Sequence, residues 1–169
     1  MLNTSKPNFL KKLALENCGV DDDELAALLK GVQKQNYFTH FDYKHNQFLS
    51  KSLAQLKPIL AKSPPQNLHE LRMVTVKSPA YIIDDLCLFL SLEAQSLRSL
   101  KLIDMNLSPT SISRIADMVK SSGWLEQLDL SKNAGLTPHH WLPMLEVLSK
   151  NRTLTWVNLS HNLLVSTKD

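Results

Sequence analysis

The sequence is poor in two residue types, glycine and cysteine, that mark nucleotide-binding and disulfide-stabilised folds. Only four of the 169 residues are glycine, at positions 19, 31, 123 and 135, and they do not form a glycine-rich phosphate loop. Cysteine occurs only as Cys18 and Cys87, and neither has a metal-ligating neighbour in the sequence. Because both lie among apolar residues, we expect buried, reduced thiols.

The chain also lacks a strong charge of one sign and a long apolar run. Its 19 basic and 16 acidic residues leave a formal net charge of +3, and both signs are mixed along the chain, which does not favour a nucleic-acid-binding face. No apolar stretch approaches the ~20 residues that span a bilayer, and no signal peptide is visible. We therefore expect one domain over residues 1–169 of an intracellular, cytoplasmic protein.

A repeated pattern runs through most of the chain. Each copy reads approximately L-x-x-L-x-L-x-x-N/C-x-L, and successive copies begin 28 to 30 residues apart. Six copies at such regular spacing indicate repeated structural units. The alternation within each copy predicts a short strand, and a helical pattern follows each of the first five. The copies begin at Leu10, Phe38, Leu68, Leu97, Leu125 and Leu154.

Helix starts can be read between the copies. Asp21 and Glu24 have the spacing of a capping box, in which each side chain binds the other residue's backbone N–H. Ser78, Ser108 and Thr137 each precede a proline. Since a hydroxyl caps a helix and proline suits its first turn, we expect helices to begin at these three places.

The pattern resembles the leucine-rich repeats, and its length and asparagine-or-cysteine position make it similar to the ribonuclease-inhibitor-like subfamily. The resemblance covers residues 10 to about 165. It implies an α/β solenoid of about six repeats, the last incomplete, with parallel strands on the concave side and helices on the convex side. Two copies depart from the pattern, because Val76 and Met105 stand where a polar side chain is expected to hold the turn, and a fifth-copy insertion falls at 134–135.

Solenoid ends need polar caps or covering partners. We therefore expect a fragment of a longer repeat array. The alternative is a short protein whose last strand is covered by an oligomer contact. A homo-oligomer or a covering segment at the C-terminal end of the solenoid is thus a further expectation.

The sequence shows no catalytic constellation. It contains no nucleophile elbow, P-loop or Cys-x-x-Cys motif, and His69-Glu70 lacks the second histidine of a zinc-protease helix. The acidic run at 21–24 lacks the spacing of a calcium loop, and His40 and His45 are expected to be polar residues of an exposed strand face. We therefore expect no enzyme activity, no cofactor and no metal site.

Stacking the copies arranges the residues between the leucines in columns, with neighbours ~4.8 Å apart. Val74 then lies beside Ile103 near the middle of the concave face, with Arg72 beside Lys101. Apolar centres with charged surroundings suit protein partners, and arginine and tryptophan are common anchors. The predicted partner-binding residues are Arg72, Val74, Lys101, Ile103, Asp129, Trp156 and Asn158.

The resulting prediction is a non-enzymatic scaffold that binds a protein partner on its concave strand face. The alternative is a regulatory or ligand-sensing repeat domain of a larger protein, because similar repeats occur in actin-capping regulators, immune receptors, GTPase-activating proteins and bacterial effectors. Ribonuclease inhibition is disfavoured. Those inhibitors are rich in cysteine and in acid on the binding face, whereas this chain has two cysteines and a mixed face.

Overall fold

A computed structural model describes residues 10–35, 37–61, 68–94 and 97–165. Both ends of the predicted domain, 1–9 and 166–169, therefore lie outside the described residues. Within the described ranges, strands and helices alternate strictly along the chain. In chain order they are β1 (Lys12–Glu16), α1 (Asp22–Val32), β2 (His40–Lys44), α2 (Ser50–Leu60), β3 (Glu70–Val74), α3 (Ala80–Glu93), β4 (Ser99–Ile103), α4 (Pro109–Ser121), β5 (Gln127–Asp129), α5 (Pro138–Lys150) and β6 (Trp156–Asn158).

The described strands form one parallel sheet in which the strand order follows the chain from β1 to β6. Each strand pairs with the next in the register that the repeat predicts. Glu70 pairs with Ser99, Ser99 with Gln127, and Gln127 with Trp156. Each helix also contacts the next helix along the chain. This α/β arrangement confirms the predicted parallel sheet with intervening helices, and it fits a repeat solenoid.

The backbone repeats as regularly as the sequence does. One residue after the position of Val74 and Ile103, every copy has a non-glycine residue in the left-handed region, with φ between 48° and 63°. In the first five copies, the N–H of this residue donates to a carbonyl of the following copy at 3.0 Å. The same turn therefore ends every strand and links it to its neighbour. These residues are Asn17, His45, Thr75, Asp104, Lys132 and His161.

The core lies between the sheet and the helices. Alternate strand residues point to the helices, and the paired residues Phe41, Leu71, Leu100 and Leu128 have no exposed surface. Trp141 of α5 is also completely buried. The period-two burial is what a strand with one covered face requires, and the burial of this apolar surface supplies the main stabilisation.

Asparagine side chains join neighbouring loops in the copies that carry them. Oδ1 of Asn133 accepts from the backbone N–H groups of Met105 and Leu107 at 2.9 and 3.3 Å. Its Nδ2 donates to the carbonyls of Leu102 and Leu130. Asn46 makes equivalent bonds to the loop of the first copy. Each such asparagine therefore satisfies backbone groups of two copies.

The third copy, which has Val76 in place of the asparagine, is joined to the preceding loop through its backbone instead. The N–H of Phe48 donates to the Lys77 carbonyl at 3.0 Å, and the N–H of Lys77 donates to the Asn46 carbonyl at 2.9 Å. This short backbone bridge joins the loops of the second and third copies. Val76 and Met105 are themselves buried and extend the core.

Three of the four predicted helix starts are confirmed, and one is wrong. Helix α5 begins at Pro138 with Thr137 at its N-cap, as predicted. Asp21 and Glu24 form the capping box of α1 at 2.8 and 3.1 Å, and Ser108 caps α4 through the N–H of Ser111. Ser78 does not cap α3, because Pro79 occupies the N-cap position in an extended conformation. The helix therefore begins one residue later than the hydroxyl-proline pattern indicates.

The expectation that both cysteines are buried is wrong for Cys18. Cys87 lies in the core, where burial raises the pKa of its thiol to about 12. Cys18 is exposed, and it lies two residues after the end of β1, at one edge of the described sheet. Apolar neighbours in the sequence therefore do not by themselves predict that a residue beside an edge strand is buried.

Candidate functional site: the open face of the sheet

The sheet has one face that the helices do not cover, and we call it the open face. It carries the alternate residues of the strands, in the register of the predicted columns. All seven predicted partner-binding residues belong to it. From β3 to β6 they are Arg72 and Val74, Lys101 and Ile103, Asp129, and then Trp156 and Asn158.

Oppositely charged side chains pair across neighbouring strands of the open face. Nη1 of Arg72 lies 3.4 Å from Oδ2 of Asp42, and Nζ of Lys101 lies 3.1 Å from Oε1 of Glu70. Nζ of Lys44 lies 3.4 Å from the same Asp42 oxygen. Acids of the preceding strands therefore compensate both cations, and the predicted charged surroundings of the apolar pair have little net positive charge.

These ion pairs are only partly exposed. The exposed fractions of the side chains are 33% for Arg72, 22% for Lys101 and 14% for Asp42. Partial burial makes such a pair hold a fixed geometry better than a fully solvated one, because water and salt screen it less. The charged rows therefore act as an ordered, nearly neutral border of the open face.

The row of ion pairs continues to the edge strand β1. Nζ of Lys44 also lies 3.1 Å from Oε2 of Glu16. The hydrogen bond from Lys44 lowers the pKa of the Glu16 carboxyl, and the positive charge of Lys44 adds to this effect. One lysine therefore bridges two acids on different strands.

Val74 and Ile103 form the apolar element of the open face. They are directly paired across β3 and β4, and both side chains are partly exposed. Paired residues on one face of a sheet lie close enough for their side chains to touch. The neighbouring column supplies Arg72 and Lys101, whose ion pairs border this apolar pair.

The β5–β6 side of the face is organised by Asp129. This side chain is buried, with 6% of its surface exposed. One carboxylate oxygen accepts from the N–H of Ser131 at 2.9 Å, and the other accepts from Nδ2 of Asn158 at 3.2 Å. Asp129 therefore orients Asn158, and Asn158 and Trp156 present the accessible surface here. Trp156 is 44% exposed.

A cluster of aromatic and charged side chains that the repeat pattern did not predict lies beside the starts of the strands. The guanidinium of Arg98 lies 5.8 Å from the ring centre of Trp124, which is 56% exposed. Nη1 of Arg98 also lies 2.8 Å from Oε1 of Glu126. The column rule could not find this cluster, because Trp124 precedes its strand. The sequence signal for this cluster is a tryptophan directly before the first leucine of the fifth copy, outside the apolar positions of the repeat.

His69 belongs to the same side of the sheet. Burial lowers the pKa of this histidine, and the positive charge of Arg98 together with His40 lowers it further. A neutral imidazole near neutral pH is therefore expected at this position.

The described residues bear on two other kinds of function, metal binding and membrane crossing. No group of three histidine, cysteine, aspartate or glutamate residues among the described positions is placed to hold a metal ion. No helix within the described ranges has the length and apolar character needed to cross a bilayer.

No family model matches this chain. No curated protein matches its sequence either. The likeness to leucine-rich repeats therefore rests on the repeat pattern quoted above and on the strand and helix order that it predicts.

Proposed function

We propose that this protein is a non-enzymatic scaffold of the leucine-rich-repeat type that binds a protein partner on the open face of its sheet. The observation that carries this proposal is the Val74–Ile103 pair within a border of fixed ion pairs. A small apolar centre with a polar rim is the usual composition of a protein-binding patch. The open face is then the concave side of the solenoid.

The electrostatics of the face support a particular kind of partner surface. Arg72 and Lys101 already have acidic partners at 3.4 and 3.1 Å, so a strongly acidic ligand would have to displace them. An apolar side chain that enters between the charged rows meets no such competition. We therefore propose that an apolar anchor of the partner contacts Val74 and Ile103, while Trp156 and Asn158 contact its periphery.

The test is a substitution at the centre of the face with a matched control on the helix side. Ile103→Glu places an unpaired carboxylate in the apolar centre and should weaken partner binding at least about tenfold, because removing a hot-spot residue typically costs about 2 kcal/mol or more and about 1.4 kcal/mol is a factor of ten. Thr110→Glu changes an exposed residue of α4 and should leave binding unchanged.

Binding is measured by quantitative pull-down from the native source after brief cross-linking, with both variants at equal concentration. Circular dichroism melting of both variants confirms that they are folded. If folded Ile103→Glu captured the same partners to the same extent as the Thr110→Glu control, the open face would not be the binding surface.

A further inference from the structure

Among the described residues, none pairs with the outer side of β6, and an apolar surface is exposed there. Val157 points to the core side and is 39% exposed, whereas Leu128, its pairing partner in β5, is completely buried. The same position in β4 is Leu100, which also has no exposed surface. Val157 therefore occupies a core position of the repeat, but no described residues cover its side chain as they cover Leu100 and Leu128.

Helix α5 extends this apolar surface. Leu142 and Leu145 are 54% and 36% exposed, and neither lines the groove between α4 and α5, where Pro143, Glu146 and Val147 of α5 lie. Counted from the prolines that begin the two helices, the α4 residues equivalent to these leucines are Ser113 and Ala116, which do line that groove. Leu142 and Leu145 therefore occupy the positions that, on α4, face the next helix.

The two edges of the sheet differ in charge. Strand β1 carries Lys12 and Glu16, which is how natural proteins protect an edge strand from pairing with another chain. Residues 153–160, which include β6, contain no charged side chain. Of the two edges of the described sheet, it is the β6 edge that has an uncharged strand beside exposed apolar residues.

The hydrogen bonds of β6 show which backbone groups remain at this edge. The N–H of Trp156 donates to the Glu126 carbonyl, and the carbonyl of Asn158 accepts from the N–H of Leu130. Because successive residues of a strand direct their backbone groups to opposite sides, the N–H and carbonyl of Val157 point away from the sheet. They can serve a further strand.

We propose that β6 pairs with β6 of a second copy of this chain, antiparallel and related by a two-fold axis at Val157. Each Val157 then exchanges two N–H···O bonds with its counterpart, and Trp156 of one copy lies opposite Asn158 of the other. Both Val157 side chains stay on the core side. The α5 helices, with Leu142 and Leu145, lie on that same side of the combined sheet.

The distribution of charge favours the two-fold β6–β6 dimer over a head-to-tail contact between β6 and β1. In the two-fold arrangement, residues 153–160 meet only their own uncharged copy, so no like charges are brought together. Continuing the parallel register from β6 would instead use β1 of another copy, whose Lys12 and Glu16 protect that edge from pairing with another chain. Such a heterologous contact would also continue into an open-ended filament rather than close as a dimer.

The test measures the mass of the 169-residue chain by sedimentation equilibrium over a wide concentration range. The expected result is a reversible shift from one to two times 19.1 kDa. Val157→Lys should abolish the dimer, because it places two like charges at the axis, whereas Ala14→Lys on the β1 edge should not. A single-copy mass at every concentration, or association beyond the dimer that Ala14→Lys removes, would overturn the proposal.

A second measurement reports on geometry without disturbing the core. Val157→Cys in a Cys18→Ser background should be joined to its counterpart by a short bismaleimide, whereas Ala14→Cys in the same background should not. Absence of the Val157→Cys cross-linked dimer in a chain that sediments as a dimer would also overturn the two-fold pairing. Partner capture by the Ile103→Glu variant is a separate readout, so the dimer and the proposed function can fail independently.

Discussion

At the scale of single residues, Thr75 holds an unfavourable backbone conformation. It is one of six equivalent residues in the left-handed region, with φ 48°, and it is the only β-branched one among them. Asparagine tolerates this region better than a β-branched residue does. We expect Thr75→Asn to raise the free energy of unfolding by up to about 1 kcal/mol.

The reverse change at an equivalent position is the matched control. Asn17, with φ 49°, lies at the same point of the first copy, so Asn17→Thr should lower the free energy of unfolding. Urea denaturation of both variants measures the two changes. Equal shifts of the same sign would contradict a conformational origin.

The loop asparagines are not equivalent to one another. Asn133 makes hydrogen bonds to five backbone groups and is 1% exposed, whereas Oδ1 of Asn162 is buried without a hydrogen-bond partner. We expect Asn133→Ala to lower the free energy of unfolding by about 3 kcal/mol, because it leaves buried N–H groups unpaired. Asn162→Ala should lower it by about 1 kcal/mol, since only its Nδ2 bonds to Leu130 and Leu159 are lost.

Denaturant unfolding of both asparagine variants, at equal protein concentration, tests this order. A larger loss for Asn162→Ala than for Asn133→Ala would mean that the side-chain bonds to the loops are not what stabilises them. The sequence alone predicts the asparagine positions but not this difference.

At the scale of helices and strands, one carboxylate connects consecutive helices. Asp22 of α1 accepts hydrogen bonds from the backbone N–H groups of Leu49, Lys51 and Ser52 at the start of α2. Burial raises the pKa of Asp22, but these bonds together with the Ser52 hydroxyl outweigh burial and lower the pKa below its usual value.

Because the pKa of Asp22 is lowered in the folded state, its stabilisation is fully present above the unfolded pKa of about 3.9 and is lost as the pH falls through the folded-state value. We expect Asp22→Ala to lower the free energy of unfolding by about 1–2 kcal/mol at neutral pH and to weaken the acid dependence of stability. Partial exposure of Asp22 keeps the loss below that of a fully buried group.

Asp23 is the control, since it is the neighbouring acid and forms a highly exposed ion pair with Lys51. Asp23→Ala should change stability by less than about 0.5 kcal/mol. Thermal melts of both variants between acidic and neutral pH measure these effects. An unchanged acid dependence in Asp22→Ala would contradict the proposed link between α1 and α2.

The sequence was most informative about the positions and faces of the strands and helices. Period-two alternation predicted which side chains of β1 to β6 share a face, because each strand side chain must point to one face or the other. Alignment of the repeated motif predicted the register. The start of α3 was missed, because a proline can occupy the N-cap as well as the first turn, and the hydroxyl of Ser78 does not distinguish the two.

At the scale of the whole molecule, the sequence placed the candidate site but not its electrostatics. The columns put Arg72 next to Lys101 and Asp42 next to Arg72 correctly. The column order does not say toward which neighbour a long side chain turns, and both cations turn toward the preceding strand. Likewise, only the structure shows that Asp129 is buried and that its carboxylate oxygens accept hydrogen bonds from Ser131 and Asn158.

The central claim is that the open face, through its apolar centre, binds a partner. A photoreactive amino acid at position 103 tests it most directly, with the same group at position 110 on α4 as the reference. Irradiation in the native source followed by mass spectrometry should give one partner cross-linked at position 103 and absent at position 110. Cross-links of equal yield and identity at both positions, or at position 110 alone, would contradict the claim.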